Sequence, residues 1–172
     1  MSHTTTVRSV PIKSRSALRA AVDALRASGV NCELLQNAVP RMFYQNQIRD
    51  HIQAKAPNAY RFHKNADECD FVLRLPGSRY DVGFLTDAKT GDLVAQFDDW
   101  SKSVSSILGA KFNGPVEHWS GMKEDTEQTL HSIGRLLQEY TKAAVIESAA
   151  QEGVSLQSCE VDKEGRLQMV FV

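Results

Sequence analysis

Three apolar runs, Phe71-Val-Leu-Arg-Leu75, Tyr80 to Leu85 and Leu93 to Phe97, follow one another with little between them. The links are Pro76-Gly77 and Asp87-Ala-Lys-Thr-Gly-Asp92, both with the composition of tight turns. This spacing predicts an antiparallel three-strand meander, and any fold of the chain has to be built around it.

The flanks supply the other elements. Thr4 to Ile12 is rich in β-branched residues and reads as a first strand. Ser14 or Ser16 can cap the helix whose apolar face is Leu18, Ala21, Val22 and Leu25, and Gly29 stands where a left-handed C-terminal glycine belongs. Val30 to Leu35 is the expected second strand, so the chain opens β-α-β. After the meander, Ser101 to Leu108 suits a short helix and residues 109–123 a glycine-rich loop. Leu130, Ile133, Leu137, Tyr140 and Ala144 mark one face of a long helix ending at Gly153, with Glu124, Asp125 and Glu127 at its electropositive N-terminus. A closing hairpin runs from Val154 to Val161 and from Leu167 onward, turning through Asp162-Lys-Glu-Gly165. The expected architecture is one α+β domain over residues 1–172, with helices on one face of a mainly antiparallel sheet and a ferredoxin-like kinship. Residues 38–68 and 110–128 read as insertions. In the first, Pro40 can open a helix along Tyr44, Ile48 and Lys55.

A hydrophobic fraction of 42% in 172 residues is enough for one packed core. No apolar run approaches the ~18 residues of a membrane span, and the N-terminus lacks a secretory layout, so a cytoplasmic protein is expected. Cys32, Cys69 and Cys159 are widely spaced and odd in number, which supports neither a disulfide framework nor a zinc knuckle. Phosphate-cradling glycine motifs and the nucleophile elbow of serine hydrolases are absent, so no cofactor is expected.

Charge is divided along the chain. Residues 1–64 hold ten Lys/Arg against three Asp/Glu, a balance of +7, and residues 65–172 hold ten against eighteen, a balance of −8. Such a division fits an anion-binding face, or two parts that attract each other within one fold or across a dimer. The basic segment 41–64 interleaves Arg41, Arg49, Arg61 and Lys64 with Tyr44 and Tyr60, groups able to neutralise phosphates and stack bases. Nucleic-acid binding through it is one reading, although the aromatics equally serve to anchor the segment to a core. Asp70, Asp87 and Lys89, with His118, superficially match a metal-dependent hydrolase or nuclease. Against that, Asp87 to Asp92 has the composition of a solvated hairpin tip. Asp81, Asp98 and Asp99 are acid/base candidates, while an Asp pair before Ser101 also suits a helix cap.

Several segments taken in order resemble one family. They are Met1-Ser2-His3, Tyr80-Asp81-Val82-Gly83-Phe84, Asp98-Asp99-Trp100, Leu136-Leu137-Gln138-Glu139-Tyr140 leading to Ala149-Ala150-Gln151-Glu152-Gly153, and Glu164 to Val170. Together they resemble the plastid and cyanobacterial hypothetical open-reading-frame family thirty-five, a domain family of unknown function with phage-encoded relatives. The resemblance implies a small soluble α+β protein with no established activity, cofactor or catalytic residues. Because the two insertions depart from the family's compact form, a function based in them need not be shared.

Without a catalytic constellation, the leading expectation is a non-enzymatic interaction module whose partner is a protein, itself included. The chain closes on Leu167-Gln-Met-Val-Phe-Val172, an apolar strand without a polar tail. Edge strands are normally blunted or covered, so this one is expected in the middle of the sheet or, failing that, at a homodimer edge.

Overall fold

The computed structural model describes residues 4–42, 68–111, 117–118, 130–162 and 167–172. Its first strand, β1 (Thr4–Ile12), leads into α1 (Arg15–Ala27) and then β2 (Glu33–Ala38). The meander follows as β3 (Cys69–Arg74), β4 (Val82–Thr86) and β5 (Leu93–Asp98). After it come a single 3-10 turn (Trp100–Lys102) and α2 (Ser105–Leu108). Three two-residue strands, β6 (Ala110–Lys111), β7 (Glu117–His118) and β8 (Leu130–His131), precede α3 (Gly134–Gln151). The hairpin β9 (Leu156–Val161) and β10 (Leu167–Phe171) ends the chain.

The main sheet has the order β2-β3-β4-β5-β1-β7, and every neighbouring pair is antiparallel. The protein is therefore α+β, with the meander at the centre of its sheet. Four antiparallel steps separate β1 from β2, so these two strands run the same way with three strands between them. A ferredoxin-like order sets only one strand between the members of its first β-α-β unit, and the topology here differs in that respect. Pro11, which has no amide to donate, falls in the stretch of β1 where the pairing with β5 shifts register.

One cluster of buried side chains joins α1, α2 and α3 to this sheet. Leu18, Ala21, Val22 and Leu25 of α1 meet Phe71 and Leu73 of β3, Val82 and Phe84 of β4, and Ala95 and Phe97 of β5, with Leu136, Leu137 and Tyr140 of α3. The opposite face of the sheet is buried too, around Val72, Leu85 and Val94. Burial on both faces explains why β4 and β5 are buried along their whole length instead of alternating.

Helix ends account for the two shifted strand starts. Ser14 caps α1 by accepting from the Ala17 amide at 3.0 Å, as the sequence predicts. At the other end Gly29 (φ 91°) donates to Arg26 O and Val30 donates to Leu25 O, a Schellman closure. The Val30 amide thus ends the helix, and β2 starts at Glu33 instead of Val30. The same arrangement closes α3, where Gly153 (φ 79°) donates to Ala150 O and Val154 to Ala149 O, so β9 starts at Leu156 instead of Val154.

Two further expectations are corrected. The periodicity placed Leu130 on the long helix, but Leu130 and His131 pair with Lys111 and Ala110, and α3 starts only at Gly134. The last strand was expected in the middle of the sheet or, failing that, at a homodimer edge, yet among the described residues β10 pairs with β9 alone, in a two-stranded sheet apart from the six strands of the main sheet. The helix expected within 38–68 lies, apart from 38–42 and 68, outside the described residues.

α3 also fixes the junction at which the chain leaves β1. The Tyr140 hydroxyl accepts from the Lys13 amide at 2.8 Å and the Ser14 amide at 3.1 Å, two donors for which the helix itself provides no partner. At its start, buried Gly134 lies against the β6 backbone, and a Cβ there would stand 2.4 Å from Ala110 O. Tyr140→Phe is accordingly expected to lower unfolding stability by about 1 kcal/mol, the loss of hydrogen bonds to donors that are only partly buried. Chemical denaturation would show this as a lower midpoint at unchanged slope.

Candidate interaction surface

Asp81 is fully buried at the start of β4. Its carboxylate accepts from the Arg41 amide (2.9 Å), Arg41 Nε (3.0 Å), Arg41 Nη2 (2.7 Å) and the Leu75 amide (3.0 Å). Arg74 Nε lies 3.2 Å from the same group, an ionic contact in which the N–H is not aimed for a hydrogen bond. Arg41 in turn donates to Leu75 O, and its own carbonyl accepts from the Asp81 amide. The network ties the chain after β2 to both ends of the β3–β4 turn. Burial pushes the Asp81 carboxyl up, but the Arg41 guanidinium, the Arg41 and Leu75 amides and the nearby positive charge outweigh it and hold the group below the usual carboxylate range. A carboxylate held ionised by two arginines has neither a free lone pair nor a raised pKa for acid/base work, so Asp81 is a clamp.

The neighbouring Gly83 belongs to the same construction. A Cβ there would lie 2.8 Å from Cys69 Sγ and 3.2 Å from Pro40 Cγ, so the segment leaving β2 crosses β4 where only a glycine leaves room.

The other candidate acids are occupied as well. Asp98 accepts from the Trp100 amide, and Asp99 accepts from the Val104 and Ser105 amides at the start of α2. Asp70 accepts from the Thr86 amide and hydroxyl, whereas Asp87 accepts from the Lys89 and Thr90 amides at the β4–β5 tip. Asp87, Asp98 and Asp99 are turn or cap fixtures, whereas Asp70 ties β3 to the end of β4. Among the described residues no cluster of His, Cys, Asp and Glu could hold a metal ion. The His118 backbone pairs with Thr5 in β7. Of the basic and aromatic candidates only Arg41 is described, with its guanidinium on Asp81. Arg49, Arg61, Lys64, Tyr44 and Tyr60 lie outside the described residues.

The surface features are elsewhere, along α3. An open groove of about 410 Å³ runs between α1 and α3. Its floor is Ala17, Ala20 and Ala24 of α1 with Ala143 and Ile146 of α3, and Ser16, Glu139, Lys142 and Glu147 form its rim. The groove exists because alanine is too short to fill the space between two helices. Glu147 closes one side by accepting from the Ser14 and Ser16 hydroxyls, which hold its carboxyl below the usual range. The apolar face read from the sequence, Leu18, Ala21, Val22 and Leu25, left out Ala17, Ala20 and Ala24, the alanines that line the groove.

Beyond Tyr140, α3 has no buried residue. Among the described residues six large apolar side chains are exposed, and four of them, Val145, Val154, Val170 and Val172, lie on the second half of α3 and the hairpin after it. Among the described residues no helix is long and apolar enough to cross a membrane. No protein-family model, curated protein or solved structure matches the chain.

Asp81→Asn is expected to cost roughly 3–5 kcal/mol at neutral pH, because it leaves Arg41 and Arg74 facing a neutral amide. The folded pKa is depressed, so the wild-type contribution is complete above the ordinary aspartate value of about 4 and is lost as pH falls through the lower folded value. The stability gap between wild type and variant should therefore be constant from neutral pH down to about 4 and close below it, as read from denaturant midpoints at each pH.

Proposed function

We propose that the protein is a small cytoplasmic interaction module with no catalytic role, and that its contact surface is the α1–α3 groove with the adjoining second half of α3 and the β9–β10 hairpin. The observation that carries this reading is the concentration of exposed apolar side chains on that one stretch of chain. Exposed apolar residues scattered singly carry no such meaning, whereas a cluster beside an apolar groove is what a protein partner covers. Engagement of Asp81, Asp87, Asp98 and Asp99 in holding turns, and of Asp70 in tying β3 to β4, supports the same reading over the hydrolase.

Kinship with the open-reading-frame family, and with it a phage or cyanobacterial origin, rests on the motifs quoted above. Three of them coincide with structural fixtures: the Asp81 clamp with Gly83, the Asp98–Asp99 turn, and the buried Leu136, Leu137 and Tyr140 of α3. Those residues support a shared fold more than a shared chemistry. A ferredoxin-like ancestry would rest on the β1-α1-β2 crossover alone. Nucleic-acid binding through 41–64 keeps its charge argument, with one of its arginines already committed to Asp81.

Photo-crosslinking amino acids placed at Ile146 and at Val170 in the native host are expected to give discrete protein adducts, of the chain with itself or with another protein. A crosslinker at Arg79, exposed in the β3–β4 turn, should give none. Absence of adducts from both surface positions would refute the interaction reading.

A further inference from the structure

We propose that two copies of the chain associate through β10, pairing the strand antiparallel to itself across a two-fold axis to form a four-stranded sheet β9-β10-β10′-β9′. The inference rests on the interaction reading above and names the partner of its hairpin.

A two-stranded sheet is marginal by itself in water, and three or more strands with a covered face are needed for independent stability. The hairpin here is a sheet separate from the main one; among the described residues its pairing is internal, closed at one end by the mutual hydrogen bonds of Ser155 and Val172. Met169 and Phe171 are half-buried, while Gln168, Val170 and Val172 are exposed, Val172 at 69% and Val170 at 49%.

The main sheet shows what a protected edge looks like in this protein. The outer strand β2 exposes Glu33, Gln36 and Asn37, and Asn37 adopts a left-handed conformation (φ 49°) that breaks its regularity. On the other side β7 covers part of β1. Charge and irregularity of this kind keep an edge from pairing with another chain. β10 lacks the charge, for residues 167–172 contain no charged side chain, and the one break in its pairing is the register shift against β9 between Val170 and Phe171.

That charge pattern selects the partner. In an isologous antiparallel pair the residues near the two-fold axis lie opposite or diagonal to their own copies, so a charge there meets a like charge, which is destabilising. An uncharged strand escapes this at every register. β9 carries Glu160, which a pairing centred near it would set against its own copy, so self-pairing is assigned to β10. A net charge of −1 leaves almost no repulsion between whole chains.

Sedimentation of the full chain from about 1 to about 100 µM should show a monomer–dimer equilibrium. Amide hydrogen exchange over the same range should show protection that rises with concentration at residues 168–171. Val170 stands next to the middle of β10, and so beside the axis when the strand pairs along its length; Val170→Lys then sets like charges near each other and is expected to raise the dissociation constant at least about tenfold. Val39→Lys alters a valine of similar exposure beyond β2 (43%) and should leave association unchanged. A chain that stays monomeric at the highest concentration overturns the proposal. So does a dimer whose concentration-dependent protection lies outside β10, or one that Val170→Lys leaves intact. Because exchange is read on the wild-type chain, a variant that fails to fold does not remove the test. A monomer that still gives adducts with another protein from Ile146 or Val170 would end self-pairing and leave the interaction reading standing.

Discussion

The fold depends on one crossover. β1 and β2 are joined through α1 and run in the same direction, but the three strands of the meander stand between them. The lateral gap is four strand spacings, about 19 Å, and a 13-residue helix rises about 20 Å. Nearly the whole length of α1 is therefore needed to carry the chain over the sheet. Side chains record the passage: Arg15 reaches Thr86 on β4, while Arg19, one turn later, lies over the Phe71 ring on β3 and reaches Gln36 on β2. A helix so placed covers all three meander strands at once, which explains why its few large residues share one core with most of the sheet. It also needs something to hold its starting point, and Tyr140 and Glu147 of α3 do so through Lys13, Ser14 and Ser16.

Polar chemistry in this protein serves the backbone. A carboxylate beside a turn finds amides that have no helix or ladder partner, and accepting from them satisfies groups that would otherwise be costly to bury. Asp81 is the extreme case, because it is wholly buried and so requires charge as well as hydrogen bonds. Two arginines provide it, one from each strand end that the clamp joins. The basic first part and acidic second part of the sequence meet at this point, through Arg41 and Asp81. At least there, the division of charge along the chain is an attraction inside the fold.

How much of this was legible follows from which residues carried two roles. The meander, the helical stripe of α1 and the C-terminal hairpin were readable because hydrophobic period and turn composition agreed. Val30 and Val154 were misassigned because an apolar residue after a helix-ending glycine looks like the start of a strand, although its amide is used to close the helix. Leu130 fitted a helical period but spends its backbone on β6, a pairing with a partner nineteen residues earlier that periodicity does not encode. Asp81 could be singled out as an unusual acid inside an apolar run. Its partner Arg41 could not, since forty residues separate them and Arg41 sat in a segment read for its charge. The α1–α3 groove was hidden for another reason: alanines count as apolar in a pattern whether they fill a space or leave it empty.

The second half of α3 makes the final connection between sequence and surface. Ala143, Ala144, Val145, Ile146, Ala149 and Ala150 place apolar groups almost all the way round the helix, and such helices are ordinarily buried. Here the first half fulfils that rule with Leu136, Leu137 and Tyr140, and the second half leaves every residue at least partly open to solvent. Ile146 faces the groove, Val145 is exposed, and the Schellman turn at Gly153 delivers the chain straight into the hairpin with its exposed valines. The groove and the hairpin are thus joined through one helix, whose second half has a composition that suits an interior. The second half of that helix stays open among the described residues, and β10, in the hairpin that follows it, carries no charged side chain.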